Sequence, residues 1–273
     1  MSSILTNTSA MVALQTMKQI NRDLGSVQSQ ISTGMKVATA KDNAAIWAIG
    51  KTMSSDADAM KTVQSSISVG QSTVAVARNA TESVVDLLGE MKSLVLQAGE
   101  NVDNAKITDS LDEMKAQIAT ILESASFNGL NLLNQTGDDL AAISALVRSG
   151  TTLSTEDISV AGEDLAGALD TNLVFNLSDP AAIETTLGLI ETELQTFIDK
   201  AASLGVTEKR MEIQSEFVGK LIDGLKSGVG AMVDADMEEA SARLQALQVQ
   251  QQLGIQALSI ANQQPQNILS LFR

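Results

Sequence analysis

Between Ile46 and Val95, apolar side chains recur every three or four residues for about 50 positions, and only Asp56, Gly70 and Thr81 interrupt the stripe. That period marks one face of a single helix. At about 1.5 Å per residue, Asn43–Gly99 would form a rod roughly 85 Å long. A compact chain of this length has a radius of gyration of only about 19 Å, so the stripe predicts an elongated molecule. A second stripe answers the first: Ile183, Leu187, Ile190, Leu194, Phe197, Ala201, Leu204, Glu208, Met211, Ser215, Val218, Ile222, Leu225, Val229 and Met232, opened by Pro180 where a helix start tolerates proline. Two such stripes predict an antiparallel intramolecular coiled coil. Aromatic residues are only 2% of the 273 residues, which leaves Leu, Ile, Val, Met and Ala to fill the core. The expected fold is mainly α: an elongated antiparallel coiled-coil or helical bundle with a small β-containing insert.

Shorter patterns flank the rod. Ala10, Ala13, Met17, Ile20, Leu24, Val27 and Ile31 form a stripe that Gly34 can close as a helix stop. Asp42 or Asn43 can cap the long helix. A further helix carries Ile107, Leu111, Met114, Ile118 and Ile121, and Phe127-Asn128-Gly129 then reads as a turn. Residues 134–179 break into short apolar pieces among Gly, Thr, Asp and Ser, which predicts a small irregular or β-containing insert.

Charge separates the ends from the middle. Residues 1–35 carry a net +1 and residues 240–273 a net +2, so the total of −15 leaves −18 on residues 36–239. The C-terminal segment has two apolar stripes. One holds Met237, Ala240, Leu244, Leu247, Gln251, Gly254, Leu258 and Ala261; the other holds Ala242, Ala246, Val249, Leu253, Ala257 and Ile260. A helix apolar on two sides needs cover on both. The N-terminal helix can cover one, which leaves the other for further copies of the chain. The nearly uncharged termini therefore read as assembly elements, and the acidic middle as a solvated exterior.

The absences are equally informative. Without His or Cys, the chain offers no zinc site of the usual N/S type, no iron–sulfur ligand set, no Ser-His-Asp or Cys-His nucleophile and no disulfide. A pI near 4.3 argues against a nucleic-acid partner, and no apolar run reaches the 18 or so residues of a membrane span. The first 22 residues lack a basic start and a continuous apolar run, so no standard signal peptide is expected. Asp234-Ala235-Asp236 with Glu238 and Glu239 lacks the glycine and spacing of a calcium loop, and reads instead as acids at a helix start. Asp138-Asp139 reads as a solvated loop, Trp47 as packing, and Pro265 as a residue that ends or kinks the last helix. No catalytic, metal or cofactor site is expected.

Several segments closely resemble the bacterial flagellin family. They are Ile31-Ser32-Thr33-Gly34-Met35-Lys36-Val37, Ala40-Lys41-Asp42-Asn43-Ala44-Ala45, and Ser126-Phe127-Asn128-Gly129-Leu130-Asn131-Leu132-Leu133. Val233-Asp234-Ala235-Asp236-Met237 and Ala261-Asn262-Gln263-Gln264-Pro265-Gln266-Asn267-Ile268-Leu269-Ser270-Leu271 complete the set. The likeness covers about residues 1–134 and 180–273 and omits the insert. It implies an inner domain of paired terminal helices, 1–33 with 236–273, forming the filament core. It also implies linkers at 34–42 and 230–235, and a helical rod of 43–133 with 180–229 carrying the 134–179 insert on its outer side.

Met17, Ile20, Leu24, Val27, Ile31, Leu244, Leu247, Val249, Leu253, Leu258, Ile260, Asn262, Pro265, Gln266, Leu269 and Leu271 are then the expected assembly residues. Gly34, Asp42, Asn43, Asp234 and Asp236 shape the linkers, and Phe127, Asn128 and Gly129 the rod turn. The implied function is a secreted, extracellular structural subunit that polymerises into the flagellar filament. Its implied partners are other copies of itself, an export chaperone, the filament cap and hook-junction proteins. In receptor-stimulating flagellins the stretch matching Glu90, Lys92, Ser93 and Leu94 is Arg-rich. Glu90 reverses that charge, which predicts weak or no activation of the vertebrate Toll-like flagellin receptor. Two alternatives make different predictions: a hook–filament junction protein would form polymers that stop growing, and a soluble coiled-coil adaptor a fixed oligomer.

Overall fold

The computed structural model describes residues 7–99, 103–134, 139–150 and 152–271, with side chains described as far as 263. Among these residues the chain forms six helices and one two-stranded sheet: α1 (Thr8–Thr33), α2 (Ala44–Val95), α3 (Asn104–Ser124), β1 (Leu140–Ser149), β2 (Thr152–Val160), α4 (Leu165–Asn172), α5 (Pro180–Val233) and α6 (Met237–Leu271). The fold is mainly α with a small antiparallel insert, as the stripes predict. It divides into two compact units, one of residues 57–223 and one of residues 1–56 with 224–273.

The 57–223 unit has a continuous core. Ile67, Val74, Leu88 and Met91 of α2 meet Leu111, Ile118 and Leu122 of α3 and Ile190, Phe197, Leu204 and Met211 of α5. α2 and α5 run antiparallel here. Arg78 Nε donates to Glu208 (2.7 Å) and Lys92 Nζ to Glu191 (2.5 Å), so partner numbers fall along α5 as they rise along α2. The two interruptions of the α2 stripe that fall inside this core have physical reasons. Thr81 is buried, but its hydroxyl donates to Ala77 O. Gly70 lies under β1, where an added Cβ would stand 2.7 Å from the Ala142 Cβ.

The insert is more regular than its sequence suggests. β1 and β2 pair antiparallel from Leu140↔Val160 to Ser149↔Thr152, with a bulge between Ile143 and Ala145. The bulge turns the backbone of Ser144 toward α5, so that Ser144 O accepts from Gln214 Nε2, while Ile143 N–H donates to Ser66 Oγ on α2. The hairpin is thus tied to both long helices. α4 is a helix that the sequence reading leaves within the irregular insert. Asp164 caps it by accepting from Gly167 N, and Leu165 and Leu169 anchor it in the core.

In the other unit, α1 and α6 lie side by side. Ile20, Val27, Ala240 and Leu247 are buried between them, with Leu24, Ile31 and Leu244 partly buried. Asn7 caps α1 by accepting from Ala10 N, and its Nδ2 donates to Ala261 O near the far end of α6. α6 continues past Pro265 to Leu271, so this proline does not end the helix. One missing backbone donor is a local cost that surrounding turns can carry.

Candidate assembly interface

The expected assembly residues fall on two differently covered faces. On α1, Ile20 and Val27 are buried and Met17, Leu24 and Ile31 half-buried. On α6, Leu247 is buried and Leu244 and Leu258 half-buried, all facing α1, with Asn262 exposed at the end of that row. Met237, at the head of the same stripe, is exposed. Val249, Leu253 and Ile260 point elsewhere and are 55–65% exposed, with Ala242, Ala246 and Ala257 exposed beside them. The α6 helix therefore covers one apolar row against α1 and leaves its second row open. The side chains of Pro265, Gln266, Leu269 and Leu271 lie outside the described residues. An apolar groove of about 530 Å³ opens between the helices near their ends, lined by Met11, Leu14 and Leu258 together with Asn7, Lys18 and Asn262.

The linker residues form a small hydrogen-bonded clasp. Gly34 takes a left-handed φ of 71° and donates to Gln30 O, which stops α1. The next residues cross to the end of α5: Lys36 N and Val37 N both donate to Val233 O (2.7 and 3.2 Å), and Ala235 N donates to Gly34 O (2.9 Å). Met35 and Asp234 pair as an isolated antiparallel bridge. The two cap candidates divide their work. Asn43 Oδ1 accepts from Ile46 N and caps α2, whereas Asp42 accepts from the backbone N–H and hydroxyl of Thr39. Those donors, the backbone N–H above all, hold the exposed Asp42 carboxyl below its ordinary value. Asp236 accepts from Glu238 N and Glu239 N and so caps α6, the helix-start role its position suggests.

In the 57–223 unit, Phe127 and Leu130 exchange backbone hydrogen bonds around Asn128 (φ 52°) and Gly129 (φ 83°), a turn that needs left-handed backbone at both central residues. Below it, the buried Asn131 donates to Leu122 O and Glu123 O at the end of α3. Glu90 is exposed beside a groove of about 650 Å³ between α2 and α3, with Asp86, Ser93 and Leu94 in its lining. Lys92 is engaged by Glu191 across to α5. Arg78 bridges Glu208 and Glu82, and these bonds, chiefly the one to Glu208, raise its pKa further above the usual arginine value.

Sequence reading missed one surface. Val206, Ile213 and Phe217 on α5 are 57–71% exposed. They sit opposite the buried stripe of the same helix, and a search for the inward-facing period passes over them. Among the described residues no group of three carboxylates is placed to hold a metal ion, and no helix is long and apolar enough to cross a membrane.

Comparison with known proteins matches this geometry to a family. The model of the bacterial flagellin N-terminal helical region matches residues 4–138, and that of the bacterial flagellin C-terminal helical region matches residues 187–272. The chain is 43% identical to Flagellin FljK of Caulobacter vibrioides, covering 100% of this chain and 99% of that relative. It is 40% identical to a flagellin of Brucella melitensis biotype 1, covering 100% of both. A chain described as a flagellar hook-associated protein of Vibrio parahaemolyticus superposes with a TM-score of 0.54, covering 71% of this chain and 100% of that one; at 14% identity the likeness concerns the fold alone.

Proposed function

The chain belongs to the bacterial flagellin family, and on that premise we propose that it polymerises through its charge-poor terminal helices, which order as neighbouring copies cover them. The protein is a structural subunit of the extracellular flagellar filament. What carries the proposed mechanism is the second row of α6: Val249, Leu253 and Ile260 are exposed on a helix already packed along its other side. Exposed apolar rows of this kind mark contact surfaces. Covering them stabilises the ordered form by mass action, so ordering of α1 and α6 is linked to subunit concentration and to the growing end.

The same reading divides the chain into a filament core of 1–33 with 236–273, linkers at 34–42 and 230–235, and a rod of 43–133 with 180–229 that carries the insert. It assigns the chain no catalysis. The C-terminal helix is the contact for an export chaperone, and the cap and hook-junction proteins bound the polymer at its two ends. The exposed, acidic Glu90 makes the protein a weak ligand of the vertebrate Toll-like flagellin receptor. Glu90→Arg should raise signalling, and strong signalling by the unaltered protein, unchanged by the substitution, would refute that part.

Seeded polymerisation of purified subunits, followed by pelleting and electron microscopy, tests the main claim. The full chain should give long filaments, and a chain ending at 235 should give none. A small fixed oligomer in both cases would refute the mechanism, and short polymers that stop growing would indicate a junction protein instead.

A further inference from the structure

The chain contains no cysteine, so its 11 methionines hold all of its sulfur. A thioether is soft and readily oxidised, and exposure decides which one reacts first. The two units differ in this respect. In the 57–223 unit, Met60, Met91 and Met211 are buried in the core and Met114 is half-buried. In the other unit, Met11, Met35 and Met237 are 66, 42 and 43% exposed, and Met17, Met53 and Met232 are half-buried. Among the described residues, every exposed methionine lies in the unit that carries the terminal helices.

Met11 is the most exposed of these side chains and holds the most sensitive position. With Leu14 it lines the α1 side of the apolar groove, and Leu258 lines the α6 side. Residues 11 and 14 share one helix face, since a three-residue step brings side chains together. Met237 opens α6 directly after the Asp236 cap, at the head of the row that packs on α1. Both thioethers therefore belong to the apolar surface of the terminal helices, and both are open to solvent in the single chain.

We propose that Met11, seconded by Met237, is a redox-sensitive modification site: its oxidation to the sulfoxide by hydrogen peroxide keeps the free subunit from adding to a growing end. The sulfur lone pair attacks the O–O bond of the peroxide. The S–O bond forms as the O–O bond breaks, and the departing hydroxide takes the proton of the transferred oxygen and leaves as water. Sulfur is oxidised by two electrons and the peroxide is reduced by two. A flexible apolar side chain thereby becomes a polar one with a strong acceptor. In a contact between copies that acceptor must lose its water, and burying an unpaired acceptor is costly. The inference rests on the terminal-helix reading and adds a control to it. Oxidation withdraws free subunits from growth, while the buried sulfurs of Met60, Met91 and Met211 leave the 57–223 unit folded.

The test treats purified subunits briefly with hydrogen peroxide, removes it with catalase and adds the subunits to seeds. Peptide mass spectrometry should find sulfoxide at Met11 and Met237 well before Met60, Met91 and Met211. The critical concentration for growth should rise about tenfold, and the two methionine sulfoxide reductases with a dithiol should restore it. In a partly oxidised sample held near the threshold for growth, the pelleted filaments should contain less Met11 sulfoxide than the supernatant. That comparison needs no substitution. Met11→Leu with Met237→Leu nearly conserves volume, and this chain should keep growing after the same treatment. Equal Met11 sulfoxide in pellet and supernatant, or normal growth of subunits fully oxidised at both positions, would overturn the inference and leave the terminal-helix mechanism standing. A doubly substituted chain that loses growth on oxidation as the unaltered chain does would overturn it too. Failure of the unoxidised, unaltered chain to grow would instead strike that mechanism.

Discussion

The α1–α6 pair and the 57–223 unit are built from helices of similar character, yet they secure them in different ways. The larger unit wraps α2, α3, α4 and α5 around one core in which Ile67, Leu88, Leu111, Ile118, Ile190 and Phe197 lose essentially all contact with solvent. Among the described residues, the α1–α6 pair buries only Ile20, Val27, Ala240 and Leu247 in its core, although α1 alone is 26 residues long and α6 is 35. Isolated helices are marginal in water, and most helix stability in proteins comes from packing. The first unit can stand on its own contacts; the second is a pair of helices short of neighbours. The charge distribution fits the same division, since the acidic middle suits a solvated exterior and the neutral ends suit burial between copies.

The comparison breaks if the two regions respond alike to damage. The largest contrast should come from Val249→Asp with Leu253→Asp, which places two charges on the open row of α6. Filament growth should be abolished, as read by pelleting, while the thermal transition of the 57–223 unit stays in place. Phe197→Ala should do the reverse. It removes a fully buried ring and should cost about 3–5 kcal/mol in that unit's unfolding free energy, measured by denaturant titration. Gly70→Ala sharpens the role of the hairpin. The added methyl meets Ala142 on β1, so despite better helix propensity the variant should lose about 1–3 kcal/mol. A gain in stability would show that the hairpin yields there easily. Leu247→Ala, in the thinly packed pair, should lower subunit stability by about 2 kcal/mol and raise the critical concentration.

The smallest effect concerns the linker. Asp42 is held below its ordinary pKa by Thr39, so its contribution is complete at neutral pH and is lost as the pH falls through its lowered folded value. Hydrogen exchange at the Thr39 amide should rise over that acid range, and Asp42→Asn should remove the acid-dependent change.

How much of this was legible in the sequence follows from how each element is held. The α2 and α5 stripes were readable because their inward positions repeat over many turns; Ile183 to Met232 are all buried or half-buried as spaced. Ile49 is the exception in the α2 stripe, since it keeps the period but is 52% exposed. The two rows of α6 were readable for the same reason. α4 escaped because an eight-residue helix with two buried leucines has too few turns to show a period. The hairpin registered only as β-like, since the bulge at Ser144 breaks its alternation. The outward row of α5 was hidden by the stronger inward one, which repeats over more turns.

Amide hydrogen exchange on free subunits and on filaments, resolved by segment, tests the central claim most directly. The account predicts that α1 and α6 exchange rapidly in the free subunit and become strongly protected in the filament, while the core segments of α2, α3 and α5 are protected in both. Equal protection of α1 and α6 before and after assembly would contradict it.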